Sequence, residues 1–358
     1  MKQSVDAEFW RGKRVLVTGH TGFKGSWLCL WLQEMGASVR GISLEPELDP
    51  AMFYVADVGD GMEHCIADIR NLSAIKHLFT DFSPNVVFHM AAQPLVRMSY
   101  KLPVETIETN VMGTVNVLEA SRLSKDLRAI VNVTTDKCYE NREWVWGYRE
   151  DEPMGGHDPY SSSKGCVELL SAAYRKSFLK DCGIAMATAR AGNVIGGGDW
   201  SPDRLLPDIF RSLENGLPIE VRNPGAIRPW QHVLEPLAGY LVLAESLYGE
   251  EGDSFSEGWN FGPRDEDARS VEWIVNQICS TWVGDANWII QAGNHPHEAN
   301  FLKLDISKAQ QRLNWSPRWN LGTALENSVH WHRAWVEGQD MRNFSLKQIN
   351  SYLAASIH

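Results

Sequence analysis

Short β-branched runs and longer stretches of helical periodicity alternate along the first two thirds of the chain. Arg14–Gly19 reads Arg-Val-Leu-Val-Thr-Gly, the pattern of a buried strand closed by glycine. Behind it Phe23, Trp27, Leu28, Leu30, Trp31 and Leu32 fall at helical spacing, and Gly36 stands where that helix should stop. Strand-like runs recur at 38–44, 64–67, 85–91, 129–135 and 184–194, and helical patterns at 73–82, 103–124 and 159–178 separate most of them. Strand, helix, strand, repeated, demands crossover connections and predicts an α/β fold with a doubly wound parallel sheet. Past residue 195 the pattern loosens: Gly196–Gly198, Pro202, Pro207, Pro218, Pro224 and Pro229 interrupt it. This predicts a smaller lobe on the carboxyl edge of the sheet, where open α/β sheets bind ligands. The expected division is 1–194 for a nucleotide-binding domain, with a returning segment near 233–262, and 195–358 for a substrate lobe and a polar tail or last helix, without readable chemistry, from 338.

Composition narrows the partners. With 34 basic and 45 acidic side chains the net charge is −11, which argues against a nucleic-acid binder built on a broad basic face. A small anion remains compatible, since a few local cations outweigh a distant negative surface. The six cysteines (29, 65, 138, 166, 182 and 279) are scattered without CxxC or metal-ligand spacing and read as reduced thiols of a cytoplasmic protein. His20, His89 and His232 likewise lack metal spacing and read as core or loop residues; no metal is expected. Met1–Arg11 carries Asp6 and Glu8 without an apolar centre, so no secretory signal is expected, and no run is long and apolar enough for a membrane span.

Between the first strand and first helix lies Gly19-His-Thr-Gly22-Phe23-Lys24-Gly25. Glycines there permit a tight turn, bring backbone N–H groups to a pyrophosphate and let helix and strand pack closely. The second strand ends Ile42-Ser43-Leu44, and Glu45 is the nearest acid for a ribose diol, so NAD is favoured. Lys24 and Arg40 leave room for a 2′-phosphate. Asp68 and Ile69, after the third strand, are placed for adenine, although Asp68 reads almost equally well as a turn cap.

A second motif is Tyr160-Ser-Ser-Ser-Lys164. Residues four apart share a helix face, and a lysine ammonium beside a phenol favours the phenolate, which predicts Tyr160 as a base assisted by Lys164. Thr134-Thr135-Asp136-Lys137-Cys138-Tyr139 follows the fifth strand, where the sheet presents catalytic groups; a hydroxyl at Thr135 is placed to hold the substrate oxygen.

Together GxxGxxG, Thr135, YxxxK and Thr109-Asn110-Val-Met-Gly113-Thr114 resemble the extended short-chain dehydrogenases/reductases over roughly the first 260 residues. That resemblance implies a Rossmann-type fold and cofactor contacts from Gly19, Gly22, Phe23, Lys24, Gly25, Asp68, Ile69, Ala91, Ala92, Tyr160 and Lys164. Arg190-Ala-Gly192-Asn193-Val194 and Arg228-Pro-Trp230-Gln-His232-Val233 resemble the sugar-nucleotide branch. There Asn193 and Arg228 are expected on the diphosphate, with Arg204, Arg211, Trp200 and Trp230 as further substrate candidates.

The two residues after Thr135 separate reactions within that branch: 4,6-dehydratases carry an acid pair there and 4-epimerases lack it. Asp136-Lys137, with His297-Glu-Ala-Asn-Phe-Leu-Lys-Leu-Asp305, is similar to the dehydratases acting on CDP-D-glucose, enzymes of bacterial O-antigen dideoxysugar synthesis. The resemblance implies Asp136 as acid to the 6-hydroxyl and Lys137 as the C5 base or an enolate stabiliser. Because a lysine is ordinarily protonated near neutrality, the base role requires burial or neighbouring cations. Glu298 and Asn300 are ribose candidates. A 4-epimerase, a dehydratase of GDP-mannose or dTDP-glucose, and a redox-sensing binding module are the alternatives. The family also implies a homodimer through a four-helix bundle of 103–124 and 159–178, with Cys166, Leu169, Leu170 and Ala173 outward; dimer and tetramer are not separated at this level.

Overall fold

The computed structural model describes residues 4–282, 284–291 and 301–356. Its centre is a seven-stranded sheet. Six strands are β1 (Arg14–Thr18), β2 (Ser38–Ser43), β3 (Glu63–Ile66), β4 (Val86–His89), β5 (Ala129–Val133) and β6 (Ala185–Ala191). The seventh, Gly258–Phe261, joins the edge beside β6, and the order runs Gly258–Phe261, β6, β5, β4, β1, β2, β3, every pair parallel. Strands β1, β4, β5 and β6 are buried along nearly their whole length, which is why the first three read as near-continuous apolar runs rather than alternating ones. The strand order reverses between β1 and β4, and this switch point opens the crevice in which such sheets bind ligands.

Two expectations change. The run 184–194 is not one strand: β6 ends at Ala191, and Val194–Ile195 pairs with Gln231–His232 in a small separate sheet. The break falls at Gly192, where a Cβ would lie 2.4 Å from Pro229 and 3.2 Å from Asp136 Oδ2, so chain departure and close approach coincide. Of the two readings open for the polar tail, the structure has the last helix, and it is packed rather than free. Helix Met341–Ala354 lies against helix Phe23–Glu34, with Tyr352 edge-on to Trp31 and Arg342 bonded to Gln33 Oε1 at 2.7 Å. Its buried apolar stripe is thin (Met341, Ile349 and Tyr352), so periodicity did not reveal the packing.

Helix Leu234–Tyr248 packs behind β5 and β6, and the smaller lobe builds its own apolar cluster from Leu206, Ile209, Phe210, Ile274, Leu325 and their neighbours. The helical patterns at 103–124 and 159–178 each contain one wide, π-type turn, at Glu108–Met112 and Arg175–Leu179. The first of these sits beneath helix Pro159–Tyr174, which carries Tyr160 and Lys164.

Candidate active site

The glycine turn is built for a close-lying ligand backbone. Gly19 has φ +79°, and a Cβ there would stand 2.7 Å from Ala91 N; at Gly25 it would stand 2.1 Å from Gly19 O. No other residue fits either position. The N-terminus of helix Phe23–Glu34 therefore abuts the end of β1 with its first N–H groups free of side-chain caps, the arrangement that receives a pyrophosphate. Ala91 is fixed nearby through its N–H to Thr18 Oγ1, 3.1 Å, with Ala92 next along the chain, and Ile69 is buried against Gly113. These residues fit a dinucleotide.

Cofactor selection was only partly legible. Arg40 is committed to Asp81 and Glu63 on the outer face of the sheet and is not open to a 2′-phosphate. Glu45 accepts from the Tyr54 hydroxyl at 2.9 Å. Both Asp68 oxygens are taken by Arg70, through its backbone N–H and its guanidinium, so Asp68 holds a turn rather than presenting itself to adenine. Lys24 departs most from expectation. Its charged neighbours are Arg204, Lys164, Asp136 and Lys137, which places the ammonium at the catalytic end of the crevice instead of by the adenosine ribose. Burial, then the surrounding cations, lowers its pKa to about 7.

The candidate catalytic loop springs from the end of β5. Thr135 caps a single 3₁₀ turn, Asp136–Cys138, by accepting from Lys137 N. Its Oγ1 donates to Asp136 Oδ1 at 3.0 Å, and its side chain also hydrogen-bonds the Tyr160 phenol. Asp136 is fully buried; Oδ1 additionally accepts from Lys137 Nζ at 3.2 Å, while Oδ2 has no partner among the described residues. Lys137 Nζ reaches Asn193 Oδ1 at 3.4 Å, which brings the Gly192-Asn193 bend into the same site. Asp158 caps helix Pro159–Tyr174 and Pro159 opens it, so Tyr160 stands in its first turn and faces the loop.

One electrostatic expectation is overturned. Lys164 does not bring the phenol of Tyr160 down. Its Nζ donates to Val133 O at 3.2 Å, and burial raises Tyr160 to about 12, the Thr135 hydrogen bond opposing only part of this. Lys164 itself is lowered to about 8 by burial, against the opposing charge of Glu168. Shared burial penalises both charged forms more than their spacing on one helix face rewards them.

The substrate-side candidates divide. Arg204 is held by Asp199 at 3.1 Å and faces the cluster of Lys24 and Tyr160. Arg228 is buried at the strand Ile227–Arg228, one Nη bonded to Ile227 O. Arg211 pairs with Asp208 and reaches Trp200 O. Trp230 lies buried in the lobe's apolar cluster, and Trp200, half-buried, packs edge-on to Trp331 and Trp335. Glu298 and Asn300 lie outside the described residues. His20, His89 and His232 are buried, as expected, and burial keeps each neutral, at about 4, 3 and 3. Among the described residues no cluster is suited to a metal ion.

Sequence reasoning missed the support beneath the site. His89 bridges Thr18 Oγ1 (2.7 Å) and Thr114 Oγ1 (2.9 Å); Asn110, in the wide turn, bonds Ser163 Oγ at 2.9 Å, and Ser163 Oγ bonds Tyr160 O. Glu168, one turn beyond Lys164, is buried against Arg190. The i, i+4, i+8 series Tyr160, Lys164, Glu168 was the available signal.

Comparison with known proteins places the chain. The sequence profile described as GDP-mannose 4,6 dehydratase matches residues 16–327. A CDP-glucose 4,6-dehydratase of Salmonella typhimurium is 56% identical over 357 residues, covering 98% of this chain and 99% of that protein. A probable dTDP-glucose 4,6-dehydratase of Sinorhizobium fredii is 26% identical, covering 89% and 92%. Two solved structures share the fold. One is the UDP-glucose 4-epimerase of Stenotrophomonas maltophila with NAD (TM-score 0.79, 21% identity, 91% of this chain and 99% of that one). The other is the dTDP-glucose 4,6-dehydratase of Bacillus anthracis with NAD (0.75, 20%, 92% and 99%). A likeness sustained over nearly the whole length, on a sheet and glycine turn of this kind, makes the chain a member of the GDP-mannose 4,6-dehydratase family of extended short-chain dehydrogenases/reductases.

Proposed function

We propose that this chain is an NAD-dependent 4,6-dehydratase that converts CDP-D-glucose to CDP-4-keto-6-deoxy-D-glucose and water, with no net redox change. The observation that carries the reading is the Asp136–Lys137 pair: an acid and a base 3.2 Å apart, beside Thr135 and Tyr160, on a chain 56% identical to a CDP-glucose 4,6-dehydratase. A 4-epimerase inverts C4 and asks nothing of C5 or C6, so it has no use for such a pair.

Bound NAD⁺ supplies a hydride acceptor at C4, the returning hydride at C6, and a positive charge that favours the Tyr160 phenolate against its burial. Tyr160 takes the 4-hydroxyl proton while Thr135 Oγ1 holds the same oxygen. The 4-ketone then acidifies C5–H. Lys137, as amine, removes that proton, and Asp136, as carboxylic acid, protonates the departing 6-hydroxyl. The ion pair is one proton away from these forms: transfer from Nζ to Oδ1 gives amine and acid without changing the pair's net charge. Asn193 Oδ1 orients the amine. Arg228, whose planar fork matches phosphate oxygens, and Arg204 hold the nucleotide diphosphate.

The active form is a homodimer. Val104, Ile107, Met112, Leu169 and Phe178 are exposed on the helices spanning 103–121 and 159–179, with Cys166 and Ala173 on the same side as Leu169. This outward apolar face suits a four-helix bundle with a second copy. We place the protein in the cytoplasm, consistent with its free cysteines; no helix among the described residues is long and apolar enough to cross a membrane.

Incubation with CDP-D-glucose and NAD, followed by alkali, should develop the absorbance of a 4-keto sugar. Formation of a CDP-hexose epimer, or no change while another nucleotide sugar reacts, would overturn the reading.

A further inference from the structure

We infer that the buried Glu168–Arg190 ion pair is a positioning clamp for the dehydration step, holding both ends of the segment that carries Thr135, Asp136 and Lys137. This deepens the proposed dehydratase reading and rests on it. At the near end, Glu168 Oε1 accepts from Thr134 Oγ1 at 2.5 Å. At the far end, Arg190 Nη1 donates to the Tyr139 hydroxyl at 2.6 Å and to Glu150 O at 3.0 Å, and the Tyr139 hydroxyl donates to Asn260 Oδ1 at 2.7 Å. Between them the pair is a two-toothed fork: Arg190 Nε to Oε1 at 2.9 Å and Nη2 to Oε2 at 2.8 Å, with Thr188 Oγ1 completing the carboxylate at 2.7 Å. Both side chains are almost wholly buried. A buried pair with this many bonds has one geometry, and the six-residue segment it brackets inherits that geometry.

The same carboxylate faces Lys164 from one turn along the helix. Other groups facing Lys164 are Cys138 from the catalytic loop, His89 from β4 and Lys24 from the first helix; Glu168 is also faced by Arg190 and Arg175. Burial holds His89 neutral and pushes the Cys138 thiol far up, so near and above neutrality only Lys24 titrates alongside Lys164. Glu168 is therefore the group that keeps Lys164 charged, and Arg190 keeps Glu168 ionised.

Two substitutions separate the clamp from simple support. Tyr139→Phe removes one arm while leaving the ring stacked on Tyr148, and it should slow product formation about tenfold with KM nearly unchanged. Reduction of bound NAD⁺ in a single turnover should fall by less than product formation, since Tyr160 and Lys164 are untouched and only Thr135 serves both steps. Glu168→Gln keeps the shape and removes the charge; Lys164 then loses its proton more easily, and the alkaline limb of kcat should move to lower pH. A residue that only stabilises the fold would lower the melting temperature and leave both readouts alone. If Glu168→Gln does not fold, Tyr139→Phe decides. Parent-level product formation by Tyr139→Phe, or an unmoved alkaline limb in folded Glu168→Gln, overturns the clamp. Absence of CDP-glucose turnover by the unsubstituted protein overturns the dehydratase reading and the clamp with it.

Discussion

Glu235 offers a test of how burial governs this protein's stability. It lies in helix Leu234–Tyr248, 1% exposed, and its carboxylate accepts from Arg318 N, Trp319 N and the Tyr352 hydroxyl, tying the last helix to the sheet's supporting layer. Burial raises its pKa from 4.5 to about 7, and the three donors offset only part of the penalty. Between those values the unfolded chain releases the proton while the folded chain keeps it. The folded state is thus favoured at acid pH, and that contribution drains away as pH rises from 4.5 to 7. At about 1.4 kcal/mol per pH unit over about 2.5 units, the loss is roughly 3 kcal/mol. Glu235→Gln does not titrate and retains acceptor and donor atoms for the same partners. Whatever its absolute stability, it should gain roughly 3 kcal/mol on the parent between pH 4.5 and 7.5, about 4 °C in melting temperature for a chain of this length. Calorimetric melts of both proteins across that range provide the measurement. A parent–variant difference independent of pH would refute the reasoning.

Gly25→Ala forces a Cβ to within 2.1 Å of Gly19 O and should abolish NADH binding in a fluorescence titration; retained binding would show that the turn is not the pyrophosphate cradle. Lys137→Met should stop exchange of C5–H with solvent while reduction of bound NAD⁺ continues; exchange at the parent rate would remove Lys137 as the base. Leu169→Asp places a charge on the outward apolar face and should yield monomers in sedimentation velocity, whereas an unchanged assembly would place the interface elsewhere.

The alternation of apolar runs, the glycine turn and the chemistry-bearing motifs were legible because each depends on neighbours within a few residues. A buried parallel strand needs continuous apolar side chains, Gly19 and Gly25 need the absence of a Cβ, and Tyr160 and Lys164 need four-residue spacing. Those constraints are local, and they were enough for the fold class and for naming the candidate catalytic set. What only the tertiary structure decided is how charges and surfaces meet across the chain. The direction of Lys24, the Arg70 hold on Asp68, the burial that raises Tyr160 and the Glu168–Arg190 pair each join segments brought together by folding. So does the docking of Met341–Ala354, 285 residues from its bond partner at Asp57. Electrostatic energies depend on distance and on how far water is excluded, and neither quantity is written in the order of residues.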